Sequence, residues 1–291
     1  MEFHLFLPQM RFDPSAITAR ARGAEESGFT GMALMDHLEP PGAIDQPLYE
    51  AFTTATWLAA VTDRLRLGHL VLCDSFRHPA VLARQAVTLQ QLSGGRFELG
   101  IGSGSVPAEL DRFGLPRLSA AQRQERLGET LDLVTRWWTG EPVHHRGAFF
   151  QVDGARQRPV PERPIPIVIG GTGPATLDLV ARYADWWNVP MHHMDRLASA
   201  RPGAGRARVS VQVLVTLIAD ETHRDQVVEV ADRRFGRMGQ AGHLVGNPSE
   251  LVARFSALRE AGVERVYTWF TDFAPPATLS LFGREVIGSL R

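Results

Sequence analysis

The sequence predicts an α/β fold in which eight parallel strands alternate with helices, a (β/α)8 barrel. The pattern is clearest between residues 65 and 104, where an apolar strand, a helix and a second apolar strand follow one another. Pro79 fits the first position of that helix, and Gly94-Gly95 fits the left-handed turn that ends it. Similar units recur along the 291 residues. A doubly wound sheet is the alternative, but it rarely needs so many evenly spaced units.

The predicted strands are short apolar runs of the kind found in parallel sheets covered on both faces. They are residues 2–7, 29–35, 65–73, 96–101, 166–169, 185–189, 209–218 and 264–270. Several helices begin at recognisable signals: Asp13-Pro14 is an N-cap followed by proline, and Ser119 to Gln122 and Asn247 to Glu250 are capping boxes. Residues 48–61 are apolar almost all round, so that helix must be covered on more than one side.

Residues 141–165 interrupt the alternation between the fourth and fifth strands. An alternating run at residues 148–152 predicts a short β excursion, after which prolines keep the chain extended. Residues 191–208 are too short and too rich in glycine and proline for a full crossover helix. Because no low-complexity linker divides the chain, we expect one domain over residues 1–291 with an insertion at about 141–165.

Composition excludes several classes of function. A net charge of −1 does not indicate the strongly basic surface that binds nucleic acid. The chain has no lysine, which removes Schiff-base chemistry, PLP enzymes included, and the P-loop. Its single cysteine, Cys73, allows no internal disulfide. The N-terminal segment lacks the basic start of a signal peptide, and no apolar run is long enough to span a bilayer, so we expect a cytoplasmic protein without a membrane partner.

Two glycine-rich turns follow predicted strands at the edge where α/β proteins bind ligands. Residues 100–104 have the spacing G-x-G-x-G, which is not the dinucleotide fingerprint, but three glycines and two serines in residues 100–105 favour a ligand close to the backbone. Gly170-Gly171-Thr172-Gly173 opens a helix, whose free N–H groups suit a phosphate. Tight turns between strand and helix would explain both runs of glycine without a ligand.

Asp36-His37 ends the second strand, and a histidine at the carboxyl end of a barrel strand indicates function. Cys73 is more typical of a small lining residue than of a reactive thiol. The pairs His144-His145 and His192-His193 lack the spacing of metal ligands, so we expect no metal. No serine or cysteine lies in a nucleophile elbow, which argues against a nucleophilic hydrolase. Apolar residues at strand ends predict an apolar pocket; they are Met10, Phe12, Leu38, Phe76, Met191, Trp269 and Phe273.

With these residues in view, the chain resembles the bacterial luciferase-like superfamily and, within it, the branch that uses the deazaflavin F420. The motifs appear in the family's order and span most of the chain. They are Gly28-Phe29, Asp36-His37-Leu38-Glu39-Pro40, Arg77-His78-Pro79-Ala80, Leu92-Ser93-Gly94-Gly95-Arg96, Leu99-Gly100-Ile101-Gly102, Trp138-Thr139-Gly140-Glu141, Gly147-Ala148-Phe149-Phe150, and Gly170-Gly171 with Ala184-Asp185-Trp186-Trp187-Asn188. The resemblance implies a TIM barrel with an insertion, in agreement with the periodicity.

The resemblance also implies a cofactor site. His37 would be catalytic and, with Asp36, would face the deazaflavin, while a non-prolyl cis peptide would fall at Leu70-Val71. The residues expected to bind the cofactor are Asp36, Leu70, Val71, Cys73, Gly102, Ser103, Gly104, Gly170, Gly171, Thr172 and Gly173. One departure matters: Ser105 stands where the family's sugar-phosphate dehydrogenase has a catalytic glutamate, which puts that substrate in doubt.

Three functions follow from the resemblance. The first is an F420-dependent oxidoreductase that moves a hydride to or from a small organic substrate. The second is an FMN-dependent monooxygenase supplied with reduced flavin by a partner reductase, and the third is a flavin-binding protein without turnover. The Asp-His-x-x-Pro pattern favours F420, supplied by a separate reductase or dehydrogenase. In the family the helices after strands two and three meet across a two-fold axis, so we also expect a homodimer.

Overall fold

A computed structural model describes residues 1–238 and 241–291. Its strands, in chain order, are β1 (Glu2–Phe6), β2 (Gly31–Leu34), β3 (Arg66–His69), β4 (Leu72–Cys73), β5 (Leu99–Gly102), β6 (Val143–Arg146), β7 (Gln151–Ala155), β8 (Ile167–Gly170), β9 (Trp186–Val189), β10 (Arg208–Leu217), β11 (His243–Gly246) and β12 (Arg265–Phe270). Its helices are α1 (Pro14–Glu26), α2 (Ala51–Val61), α3 (Pro79–Leu92), α4 (Pro107–Arg112), α5 (Ala120–Trp137), α6 (Pro174–Tyr183), α7 (Leu197–Ala200), α8 (Arg224–Phe235), α9 (Pro248–Glu260) and α10 (Pro276–Phe282).

Parallel pairing arranges the main sheet in the order β3-β2-β1-β12-β10-β9-β8-β5-β4. The two ends of this order, β3 and β4, are the two halves of the predicted third strand, separated only by Leu70 and Val71. The sheet therefore closes on itself, and a further parallel bridge from Leu67 to Phe97 joins β3 to the residues just before β5. We call this closure, where β3, β4 and β5 meet, the seam. The prediction of a barrel is confirmed, and the predicted carboxyl ends of its strands lie within two residues of those observed.

The third strand is not continuous, contrary to the sequence prediction of residues 65–73. It breaks at the Leu70-Val71 peptide, which is cis, as the resemblance implied. Only glycine fits at the two positions of β5 that face this break. A Cβ on Gly100 would lie 1.8 Å from the carbonyl oxygen of His69, and one on Gly102 would lie 2.8 Å from Cγ2 of Val71. The G-x-G spacing at residues 100–102 therefore makes room for the protein's own third strand, and not only for a ligand.

The helices pack their apolar faces on the outside of this barrel. In α3 the buried side chains are Pro79, Leu82, Ala83, Ala86, Val87, Leu89 and Gln90, which form one stripe along the helix. The capping boxes predicted at Ser119 and Asn247 are both present, so the starts of α5 and α9 follow directly from local sequence. None of the helices in the described ranges combines the length and the apolarity that crossing a bilayer requires.

Two differences from the sequence prediction lie outside the barrel wall. The interruption after α5 is an antiparallel hairpin of β6 and β7, longer than the short excursion expected at residues 148–152. The strand β11 was not predicted; it pairs in parallel with residues 214–217 of β10. Between β9 and β10 the chain forms short helical turns and α7 in place of a full crossover helix, which agrees with the prediction.

Candidate functional site

The carboxyl ends of the strands enclose a cavity of about 350 Å³. Ten of the residues predicted from the sequence to form the site line this cavity. They are Asp36, His37, Leu70, Val71, Cys73, Gly102, Ser103, Gly104, Gly170 and Gly171. Of the other two, Thr172 is buried with its Oγ1 3.2 Å from Nδ1 of His193, and Gly173 is the N-cap of α6.

His37 is held by a carboxylate that the sequence prediction missed. Its Nδ1 lies 2.9 Å from Oε2 of Glu109, a residue of α4 whose side chain is only 4% exposed. Oε1 of Glu109 accepts the backbone N–H groups of Leu38 and Glu39 at 2.6 and 3.1 Å. The available signal was the pattern Val106-Pro107-Ala108-Glu109, a proline at N1 with an acid in the first turn, which predicts a helix start but not its contact with His37.

Asp36, the neighbour of His37, makes contacts that stabilise the fold beside the cavity. Its carboxylate accepts two hydrogen bonds from the Arg77 guanidinium, at 2.6 and 2.9 Å, and one from the backbone N–H of Cys73 at 2.8 Å. Arg77 also contacts Glu50, the N-cap of α2. The buried ion pair therefore joins the end of β2 to β4 beside the seam, and it fixes the wall of the cavity at Cys73.

Cys73 has the environment of a lining residue. Its side chain is buried, and burial raises the pKa of the thiol to about 12, so it stays protonated and unreactive at neutral pH. A Cβ on Gly104 would lie 2.9 Å from its Sγ, and Gly104 has a positive φ of 83°. Glycine is needed there for both reasons.

The opposite end of the cavity is polar. Nε2 of Gln124 donates to Oγ of Ser103 at 2.9 Å and to Oγ1 of Thr176 at 3.1 Å. Two buried atoms of this wall, Nε of Arg123 and Oε1 of Gln124, have no hydrogen-bond partner within residues 1–238 and 241–291. A Cβ on Gly170 would lie 3.8 Å from Cγ1 of Val71 and 3.9 Å from the carbonyl oxygen of Asn188, in ordinary van der Waals contact. A polar ligand in the cavity would satisfy the buried atoms.

A second pocket of about 490 Å³ adjoins the cavity, and the two share His37, Val106 and Glu109. Its other lining residues are Arg11, Glu39, Pro40, Pro41, Gly42, Ala43, Ile44, Asp45, Gln46 and Arg112. We call it the access pocket. His37 thus stands between two spaces, one enclosed by the strand ends and one beneath the loop after β2.

The prediction that strand-end residues form an apolar pocket is wrong in its choice of residues, because none of the seven lines the cavity or the access pocket. Met191, Leu214 and Phe235 form a buried cluster against which Trp269 and Phe273 pack, with ring centroids of Phe235 and Trp269 5.2 Å apart. These side chains fill the barrel mouth on the side of β10 and β12 because they have one another to contact. The access pocket is walled instead by charged residues and by the prolines of the loop after β2.

Residues 1–236 match the model of a family described as luciferase-like monooxygenase. The chain belongs to this luciferase-like family. Over 242 residues it is 34% identical to an F420-dependent glucose-6-phosphate dehydrogenase of Nakamurella multipartita, a match that covers 77% of this chain and 69% of that protein. The resemblance drawn from the sequence motifs is therefore confirmed.

Solved structures of luciferase-like fold agree with the architecture. An F420-dependent secondary alcohol dehydrogenase in complex with an F420-acetone adduct matches with a TM-score of 0.85 at 18% identity, over 100% of this chain and 99% of that one. An EDTA monooxygenase from Chelativorans sp. BNC1 matches with a TM-score of 0.83 at 16% identity, over 100% of this chain and 93% of that one. At these identities the likeness is one of fold.

Proposed function

We propose that this luciferase-like protein is an F420-dependent oxidoreductase that moves a hydride between the deazaflavin and a small organic substrate. The observation that carries the proposal is the position of His37, held by Glu109 on the wall shared by the cavity and the access pocket. The relative from Nakamurella multipartita, which is named as F420-dependent, supports this cofactor. The residues of the cavity also fit such a group.

The cavity offers an apolar wall and a polar end. We assign Leu70, Val71, Cys73 and the turn at residues 102–104 to the ring of the cofactor, because these residues present small or apolar surface. We assign residues 170–173 and Arg123 to its phosphate, because α6 begins there and the buried guanidinium nitrogen of Arg123 lacks a partner among the described residues. When bound, F420 supplies a hydride acceptor or donor. Asp36 positions the wall and is not assigned a direct contact.

His37 is the residue to which we assign proton movement. Its imidazole is one-fifth exposed and faces both spaces, so a substrate in the access pocket can reach it. An alcohol that loses a hydride must also lose its hydroxyl proton, and the reverse reaction must supply one. A histidine exchanges protons near neutral pH, so it can take or give this proton.

The second candidate is an FMN-dependent monooxygenase, and the family description and the structural likeness to the EDTA monooxygenase favour it. It would use the same cavity and would need oxygen and a reductase that supplies reduced flavin. A flavin-binding protein without turnover is the third candidate, and the position of His37 on the wall shared by two adjoining pockets argues against it.

Activity of a histidine variant tests the proposal. The purified protein is given F420 and a panel of secondary alcohols and sugar phosphates, and the loss of F420 absorbance is followed without oxygen. We expect turnover with at least one substrate, and we expect His37→Ala to reduce kcat by about 10²–10⁴-fold while F420 binding is kept. His144→Ala, on the exposed hairpin, is the control and should turn over normally. Full activity of His37→Ala would refute the role of His37.

We further propose that residues 1–291 act as one domain, as a homodimer, in the cytoplasm. A separate reductase or dehydrogenase would replenish the cofactor. The dimer is supported by exposed apolar surface on α2, where Trp57 is 54% exposed. The single buried cysteine is consistent with a reducing compartment.

A further inference from the structure

We propose that Glu109 is a positioning residue that selects the tautomer of His37, an inference that rests on the proposed function of His37 in proton movement. The carboxylate lies on α4, while His37 lies on the loop after β2, so the contact joins two segments 72 residues apart in the chain. Glu109 is itself buried, and each of its two oxygens has a separate task.

The two oxygens are distinguished by their donors. Oε1 accepts two backbone N–H groups, from Leu38 and Glu39, and these cannot be anything but donors. Oε2 lies 2.9 Å from Nδ1 of His37. An ionised carboxylate only accepts hydrogen bonds, so Nδ1 must carry the proton. The neutral imidazole then has Nε2 free of a proton, available to accept one from a substrate hydroxyl.

Other charged groups surround His37, and none of them makes a hydrogen bond to its ring among the described residues. In the access pocket they are Arg11, Glu39, Asp45 and Arg112; in the cavity they are Asp36, Arg123, His192 and His193. Asp36 is bound to Arg77, and Glu39 forms an ion pair with Arg112. The hydrogen bond between Nδ1 of His37 and the Glu109 carboxylate is therefore the contact that decides which ring nitrogen is protonated.

The isosteric variant Glu109→Gln should invert the tautomer. Its carbonyl oxygen must take the place of Oε1, because the two backbone N–H groups would repel an amide NH₂. The NH₂ group then lies where Oε2 was and donates to Nδ1 of His37. The neutral ring must carry its proton on Nε2 instead. The variant keeps the side-chain volume and the contacts of the loop, so we expect it to fold.

Nitrogen NMR of the ring measures this directly and needs no cofactor. The protein is labelled with ¹⁵N-histidine, spectra that correlate ring nitrogens with carbon-bound ring protons are recorded at alkaline pH, and the signals of His37 are identified by their loss in His37→Asn. We expect Nδ1 protonated and Nε2 unprotonated in the parent, and the reverse in Glu109→Gln. A parent His37 with its proton on Nε2, or a Glu109→Gln variant with an unchanged tautomer, would overturn the proposal.

A matched control exists in the same chain. Glu129 forms a second carboxylate–histidine contact, with Oε2 3.1 Å from Nε2 of His145, and both of its oxygens also accept backbone N–H groups of residues 148–150. Glu129→Gln should change the signals of His145 and leave those of His37 as they were. A change at His37 in this remote variant would show that the tautomer responds to general perturbation and would count against the specific contact.

Turnover separates this inference from the proposed function. If the parent reduces F420 with an alcohol, Glu109→Gln should lower kcat by about 10²–10⁴-fold, and by no more than His37→Ala does, because the histidine is held in the wrong tautomer, with KM little changed. If the tautomer inverts while the parent shows no F420 chemistry, the assignment of Glu109 stands and the proposed function fails. An inverted tautomer with full turnover would mean that Glu109 does not act on the reaction through His37.

Discussion

Asp36 and His37 are adjacent in the chain and differ in role because their partners come from different places. Asp36 is neutralised by Arg77 of the loop before α3 and ties down Cys73, whereas His37 contacts Glu109 of α4. The sequence predicted both as site residues because they form one motif. It could not separate them, because both partners lie 37 or more residues away in the chain.

Removing the Asp36 carboxylate should destabilise the protein. Asp36→Asn leaves the Arg77 guanidinium, which is only 12% exposed, with Glu50 as its remaining ionic partner. Breaking one side of a buried pair costs about 3–5 kcal/mol, and we expect a loss of about 3 kcal/mol in the free energy of unfolding, measured by urea titration. Glu285→Gln breaks the exposed pair with Arg284 and should cost less than about 1 kcal/mol. Equal losses of unfolding free energy in the two variants would show that the buried Asp36–Arg77 ion pair does not stabilise the protein as proposed.

At the scale of elements, the seam between β3, β4 and β5 depends on the glycines of β5. Gly100→Ala would place a methyl group 1.8 Å from the His69 carbonyl oxygen, which belongs to backbone and cannot move aside without opening the seam. We expect a loss of more than about 3 kcal/mol or failure to fold, measured by urea titration and circular dichroism. Gly236→Ala, whose new methyl group has no atom of the described residues within 4 Å, is the control and should be neutral. A Gly100→Ala protein of parental stability would mean that the seam is misplaced.

The helix α2 is apolar for two reasons that the sequence did not distinguish. Ala55 and Ala59 are 1% and 6% exposed and pack on the barrel, so glutamate at either position would disrupt the core and would not test a dimer. Trp57 is the large exposed side chain of α2, on the outer face of the helix. If this face forms the dimer, Trp57→Glu should yield monomer by light scattering, while Phe113→Glu, also at an exposed aromatic residue, should leave the mass unchanged. A parent protein that is monomeric would refute the dimer.

Local signals predicted the elements well, whereas the site required contacts between elements. The carboxyl ends of strands and the capping boxes depend on a few neighbouring residues, so they were predicted to within two residues. The cis peptide at Leu70-Val71 was predicted only from the family resemblance, because the apolar run of the third strand does not indicate it. The short strand β11, with the sequence His-Leu-Val-Gly, has too few residues to show periodicity. Glu109 was missed because only the docking of α4 brings it to His37.

At the scale of the whole molecule, the barrel interior holds neutral histidines that make stability depend on pH. Burial lowers the pKa of His4 and of His69 to about 4 from the ordinary 6.5. The unfolded chain therefore binds more protons than the native one between pH 6.5 and 4, and stability is lost as pH falls through that window. Protonation of each histidine lowers the free energy of unfolding by on the order of 3 kcal/mol at most across this window. Glu2, whose pKa is lowered to about 2 although burial opposes this, matters only below about pH 4.5.

Urea unfolding at pH 7.5 and pH 5.0 checks this dependence. We expect the urea concentration at the unfolding midpoint to be lower at pH 5.0 than at pH 7.5. His69→Leu should show a smaller decrease, because leucine has no proton to gain and packs between Phe52 and Phe97. His223→Leu, at an exposed histidine, should keep the parental dependence. If His69→Leu and the parent lose stability equally, His69 is not a source of the pH dependence.

Cofactor titration tests most directly whether this luciferase-like barrel binds F420 as its cofactor. The protein, freed of bound small molecules, is titrated with F420 and with FMN in parallel, and binding is read from the change in each cofactor's absorbance. Oxygen uptake is then measured with each cofactor in its reduced form. We predict tighter binding of F420 and no oxygen uptake beyond that of the free cofactors. Binding of FMN alone, with oxygen consumed when reduced FMN is supplied, would contradict the account and establish the monooxygenase.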